Sequence, residues 1–277
     1  MRILGINYLS ESSVSLLENG KIKYSISEER INRIKNWWGN PFKSINYMLK
    51  DLNLKIKDID VISTHGLIGI NKKMPLENEF ETKKAEIHKS KLKKEQKNRQ
   101  LKNLKSRYYH ERKVVIRTKK YLLELKKKFK NLEIHDHHDS HAATAYYFSG
   151  WEECHVLTID GWGDQCSSKF YYAKKGNLRE ITSSYTLDSL GYFYGSITKL
   201  LGFKPHQHEG KILGLAAFGN GSKAYKDIAK MISFDKEKNC FKGNYEKGLY
   251  IAGFKNTNLN FLLKKYSKKD IAAATQK

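Results

Sequence analysis

Apolar and polar residues alternate along three early stretches, Arg2 to Tyr8, Ser13 to Leu17 and Lys21 to Ile26, which is the period of half-buried strands. Glu18-Asn19-Gly20 separates the second from the third, and an Asn-Gly pair is a strong signal for a two-residue hairpin turn. The period changes to that of a helix from Pro41 to Leu52, where Ile45, Met48, Leu49 and Leu52 fall on one side. A further strand is expected at Ile59 to Thr64. The same series returns after Gly150, with strands at Cys154 to Asp160, Ser168 to Ala173 and Leu178 to Tyr185, a turn at Lys174-Lys175-Gly176-Asn177, and a helix from Asp188 to Leu201.

Three antiparallel strands, a helix and another strand is the order of an RNase H-like unit, and its recurrence predicts a duplication. The fold class expected is therefore α/β, with duplicated RNase H-like units of the sugar kinase, actin and Hsp70 (ASKHA) architecture and the second unit incomplete. The first unit should span 1–150, including a Lys-rich helical segment at about 83–130, and the second 151–277. In that arrangement the two first hairpins approach a shared nucleotide cleft, where small residues let backbone N–H groups close around phosphates.

Length and composition narrow the class. With 277 residues, 39% apolar and only 3 prolines, the chain is neither a disulfide scaffold nor a disordered tail. No apolar run reaches the roughly 18 residues that cross a bilayer, and Met1 to Tyr8 reads as a strand rather than a signal peptide, so a cytoplasmic protein with no membrane partner is expected. Cys154, Cys166 and Cys240 form no C-x-x-C pair and predict neither zinc knuckle nor disulfide.

The formal charge of +23 is localised: residues 83–130 hold 16 Lys and 4 Arg against Glu86, Glu95, Glu111 and Glu124, or +16 of the total. Leu101, Leu104 and Tyr108, then Tyr121, Leu122, Leu125 and Phe129, are spaced as helical faces, so two lysine-coated surface helices are expected. Such a coat can attract an anionic substrate or RNA. Lysine dominates over arginine and aromatics do not alternate with it, so a solvated face is the expected reading and a nucleic-acid partner is not.

The residues able to carry chemistry cluster where the two units meet in the sequence. His135-Asp136-His137-His138-Asp139-Ser140-His141 is followed by an alanine- and tyrosine-rich helix former, so His137 and His141, four apart, share a helical face. Two neutral imidazoles so placed can hold a divalent metal, although paired histidines also occur as surface or hydrogen-bonded pairs. Asp136 or Asp139 is expected to cap the helix.

His137-His138-Asp139-Ser140-His141-Ala142-Ala143, Thr158-Ile159-Asp160-Gly161-Trp162-Gly163-Asp164 and Glu209-Gly210-Lys211-Ile212-Leu213-Gly214-Leu215-Ala216-Ala217-Phe218-Gly219 occur in this order. With Ile3-Leu4-Gly5-Ile6-Asn7 and Ser27-Glu28-Glu29-Arg30 they make the chain resemble the NodU-type O-carbamoyltransferases, in the N-terminal part of their TsaD-like domain. The resemblance implies a two-step reaction. A YrdC-like domain combines carbamoyl phosphate with ATP to give carbamoyl-adenylate, and the TsaD-like domain passes the carbamoyl group to a hydroxyl of a sugar or other small acceptor. It implies a divalent metal, Fe(II) or similar, on His137 and His141, and ATP with Mg. Asp160, Lys211 and Glu11 become catalytic candidates, with Asp160 either binding metal or closing its turn. Gly161, Gly163, Asp164, Gly210, Lys211, Glu29 and Arg30 become nucleotide-cleft candidates.

Two departures qualify the match. Ser10-Glu11 stands where family members commonly carry His-Asp, which leaves Glu11 as the group able to act as a base there. The sequence also stops before the second unit's later strands, a third acidic metal ligand and the YrdC-like domain, so the chain alone is expected to be inactive. Alternatives from other classes are a tRNA-modifying or RNA-binding relative using the Lys-rich helices, and an ASKHA-type kinase or ATPase needing no histidine pair.

Overall fold

The computed structural model describes residues 1–66, 75–244 and 259–277. The chain has a mixed α/β fold and divides into two compact units, Met1–Lys72 with Arg112–Ser140, and Lys73–Glu111 with His141–Lys277.

In the first unit, β1 (Arg2–Asn7), β2 (Ser13–Glu18) and β3 (Lys21–Ser27) form an antiparallel meander. Asn19 and Gly20 turn β2 into β3 with φ of 50° and 78°, the left-handed pair that the Asn-Gly signal foretells. Alternation buries Leu4, Ile6, Val14 and Leu16. A short helix α1 (Glu28–Asn32) leads to α2 (Phe42–Asp51), and the buried Glu28 accepts the Ser44 N–H at 2.7 Å, filling an orphan donor at the start of α2. Strand β4 (Val61–His65) pairs parallel to β1. Beyond it lies β5 (Leu132–His135), again parallel, a strand that the sequence pattern did not reveal. The five-stranded mixed sheet thus has the order β3-β2-β1-β4-β5.

The Lys-rich segment forms two helices, α3 (Pro75–Lys89) and α4 (Lys94–Lys128), but a lysine-coated surface is only half of the picture. Along α4 the buried positions include Leu104, Arg107, Glu111, Val115, Thr118, Leu122 and Leu125, one continuous stripe in which two members are charged. That stripe misses Tyr108, which the sequence periodicity had placed with Leu104, because Arg107 and Glu111 are read as solvent-facing until their burial is seen.

After helix α5 (His137–Ser149), the second unit holds another antiparallel meander, β6 (Glu153–Gly163), β7 (Cys166–Lys174) and β8 (Asn177–Tyr185). Lys175 and Gly176 turn β7 into β8 with φ of 47° and 79°, and Asp164 and Gln165 turn β6 into β7 at 48° and 70°. Strand β6 runs past Asp160 to Gly163, with its register shifted between Ile159 and Gly163, so Asp160 lies in a bulge rather than at a strand end. Ala142 and Tyr146 of α5 pack against Val156, Tyr171 and Ala173, fixing the helix to this sheet.

Helices α6 (Leu190–Leu200), α7 (Glu209–Ala216), α8 (Gly221–Ile228), α9 (Asn260–Lys265) and α10 (Lys268–Gln276) build the larger core of this unit around Ile197, Ile212, Ile228, Leu262 and Ile271. Ile87 of α3 and Leu104 of α4 belong to the same core. Hairpin β9 (Ile232–Asp235) and β10 (Cys240–Gly243) flanks it. A buried charge cluster holds α3 in place: Lys83 Nζ lies 2.8 Å from Asp188 Oδ2, and Glu79 accepts the Leu187 N–H at 2.9 Å. Burial raises both the Glu79 and the Asp188 carboxyls above their ordinary range, against the pull of Lys83.

Candidate metal centre

Asp136 starts α5 by accepting the N–H groups of His138 at 2.8 Å and Asp139 at 3.1 Å, the capping role that the sequence offered to either Asp136 or Asp139. The cap sets the helical phase from His137 onward, so His137 and His141 project one turn apart along the same face. Ala142 and Tyr146, buried on β6 and β7, hold that phase against the sheet.

The carboxylate of Asp160 reaches His141 from the β6 bulge, with Oδ2 at 3.7 Å from Nε2. Its other oxygen accepts the Gly161 N–H at 2.6 Å, so the Gly161 peptide aims the carboxylate. One ligand atom from each of His137, His141 and Asp160 lies within 4.8 Å of the others. Hydrogen bonding and attraction from Asp160 push the His141 imidazole above its ordinary pKa, against the opposing effect of burial. Two imidazoles and one carboxylate converging, with His141 half-exposed, suit a divalent metal that keeps positions open for other ligands. A donor set of this chemistry fits the metal that the histidine spacing suggests.

His65 is the neighbour that sequence reasoning missed. It ends β4, contacts Asn7 Oδ1 through Nε2 at 3.0 Å, stacks on Tyr8 at 5.1 Å between ring centroids and meets His137 edge-on at 5.2 Å. Parallel pairing brings Asn7 and His65 together across 58 residues of sequence. The readable signal was a lone histidine at the carboxyl end of a parallel strand, where ligands of open α/β sheets gather.

The remaining candidates fall elsewhere or serve local structure. Gly161 lies next to Asp160 and accepts the Ser189 hydroxyl at 2.9 Å, Gly163 is buried opposite Cys166, and Asp164 makes the β6–β7 turn. Glu11 is exposed with φ of 54°, and its carbonyl accepts the Asn7 amide at 3.3 Å. Glu29 accepts the Asn36 N–H at 2.9 Å and lies 3.9 Å from Arg30, whose side chain is exposed. Gly210 and Lys211 are exposed in the first turn of α7. Glu11 and Glu29 do not join the His137, His141 and Asp160 set.

Fold and site together define an α/β protein with a two-histidine, one-carboxylate candidate metal centre. Residues 2–277 match the family described as Carbamoyltransferase N-terminus, and the chain belongs to that family. It is 31% identical over 216 residues to an uncharacterized protein of Methanocaldococcus jannaschii, covering 78% of this chain and 33% of that one. An uncharacterized protein of Synechocystis is 29% identical over 267 residues, covering 94% and 41%. The nodulation protein NolNO of Sinorhizobium fredii is 26% identical over 220 residues, covering 77% and 28%. The chain thus spans about a third of the length of the curated relatives it matches. Among the described residues no helix is long and apolar enough to cross a membrane.

Proposed function

We propose that this chain is the N-terminal portion of an O-carbamoyltransferase that moves a carbamoyl group from carbamoyl-adenylate to a hydroxyl of a sugar or other small acceptor. The observation that carries the reading is the convergence of His137, His141 and Asp160, in a chain whose family is defined by carbamoyl transfer. A divalent metal on these three residues, Fe(II) or a similar ion, would supply Lewis-acid polarisation of a carbamoyl or phosphate oxygen. In the transfer the acceptor oxygen bonds to the carbamoyl carbon, the bond to the adenylate phosphate breaks, and AMP leaves with that electron pair. Glu11 is proposed to take the hydroxyl proton. Gly161, Gly163, Asp164, Gly210 and Lys211, with Glu29 and Arg30, are proposed to line the nucleotide, and Lys211 to offset its phosphate charge. The adenylate itself is proposed to come from carbamoyl phosphate and ATP with Mg on a YrdC-like domain.

The same reading takes the two strand meanders as duplicated RNase H-like units, 1–150 and 151–277, of the ASKHA architecture, in a cytoplasmic enzyme. Titrating the purified chain with Co²⁺ under argon tests the centre, because Co²⁺ reports its ligands through visible absorption. One equivalent should bind, and His141→Ala or Asp160→Asn should weaken binding at least about 10-fold. Unchanged affinity in both variants would remove the basis for the proposed chemistry.

A further inference from the structure

Helix α4 carries one basic residue unlike those beside it. Arg107 has a side chain 4% exposed, while Lys102, Lys105, Arg112 and Lys113 on the same helix face solvent. A guanidinium is costly to bury, and even a paired one repays the desolvation only with good geometry. The residues around it show what it is placed against. Glu111, one turn further along α4, pairs with it. Its guanidinium carbon stands 3.5 Å from the centroid of the Tyr192 ring, a flat stack that the planar Arg head makes and a Lys ammonium does not.

Tyr192 leads on to the metal centre. It lies in the first turn of α6, where its N–H donates to the Ser189 hydroxyl at 3.0 Å. That hydroxyl donates to the Gly161 carbonyl at 2.9 Å. Gly191, between them, is pressed so closely on the bulge that a β-carbon there would come within 2.6 Å of the Gly161 nitrogen. A β-carbon on Gly161 would in turn meet the edge of the Tyr192 ring at 3.9 Å. The Gly161 N–H is the group that holds the Asp160 carboxylate.

We infer that Arg107 is a positioning residue for Asp160, acting through the stacked ring of Tyr192 and the first turn of α6. The inference rests on the reading of His137, His141 and Asp160 as metal donors. Because interiors are close-packed, a ring free to tilt lets the α6 turn shift against the Gly161 peptide, and the carboxylate loses its aim. The Lys-rich segment therefore contributes to the centre from its buried stripe rather than from its cationic coat.

The test titrates the 277-residue chain with Co²⁺ alone, following affinity and the visible Co²⁺ spectrum, after circular dichroism establishes folding. Arg107→Met and Tyr192→Leu should each weaken Co²⁺ roughly 10-fold and change the band shape. Their combination should be no weaker than either alone, since both break one path. Lys105→Met, an exposed change on the same helix, should match the unaltered chain. Arg107→Lys keeps the charge without the stack and should fall with Arg107→Met; it carries the test if Arg107→Met does not fold. Normal Co²⁺ binding and spectrum in Arg107→Lys or Arg107→Met, or single effects that add, overturn this inference while leaving the centre intact. Failure of the unaltered chain to bind Co²⁺ overturns both readings.

Discussion

Replacing Glu111 by glutamine asks whether the buried pair on α4 is held together or merely tolerated. Glu111 is 1% exposed, and burial pushes its carboxyl up to about 7 despite the adjacent Arg107. An unfolded chain titrates the same group near 4.5. Between those values the folded protein binds a proton that the unfolded chain has released, so stability falls as pH rises through the interval. The contribution is fully present below about 4.5 and lost above about 7. At roughly 1.4 kcal/mol per pH unit the loss comes to about 3 kcal/mol.

The amide of the Glu111→Gln variant has no such titration, and other groups cancel when the two proteins are compared at each pH. Urea unfolding followed by circular dichroism from about pH 4.5 to 8.5 should therefore give near-equal stabilities at the acid end. Glu111→Gln should then gain on the unaltered chain, by about 3 kcal/mol near pH 8. A variant less stable than the parent at that alkaline end would refute the reasoning, because it would mean that the attraction of Arg107 outweighs desolvation and that Glu111 is ionised well below about 7.

Two further outcomes follow from packing. Lys83→Met leaves Asp188 and Glu79 buried without their shared cation and should cost about 3–5 kcal/mol in urea unfolding, with Asp188→Asn in the same chain recovering part of it. No recovery would mean that Lys83 acts by volume rather than charge. Gly219→Ala would drive a β-carbon into the Lys269 carbonyl, so α10 must shift, and a loss of about 1–3 kcal/mol is expected in the same measurement. A neutral effect would show that α10 moves freely against the turn between α7 and α8.

Much of this was legible where one element decides the outcome. The Asn19-Gly20 and Lys175-Gly176 turns, the alternation of Leu4, Ile6, Val14 and Leu16, and the helical spacing of His137 and His141 depend on neighbours a few residues away. What stayed hidden depends on distant partners. Glu28 stands in a run of charged residues with no local sign of burial, yet its carboxylate accepts the Ser44 N–H, 16 residues on. His65 has no local pattern around it, and only the parallel pairing of β4 with β1 and β5 gives it Asn7 and His137 as neighbours.

The Lys-rich segment shows why periodicity failed most where charge was densest. A hydrophobic stripe is found by counting apolar residues at helical spacing, and α4 places Arg107 and Glu111 in the middle of its stripe. Removing those two positions from the count breaks a run that otherwise reads Leu104, Val115, Leu122, Leu125, and the eye shifts to Tyr108 instead. A charged residue inside a buried stripe is expensive, so it marks a place where packing alone did not set the choice. At Arg107 the alternative is visible in the ring it covers: a leucine would fill the same stripe position more cheaply but would give Tyr192 no flat charged partner. The basic residues of the segment therefore divide into an exposed coat, whose lysines can be exchanged at little cost, and the buried Lys83 and Arg107, the first paired with Asp188 and the second stacked on Tyr192, where its loss should be felt at Asp160.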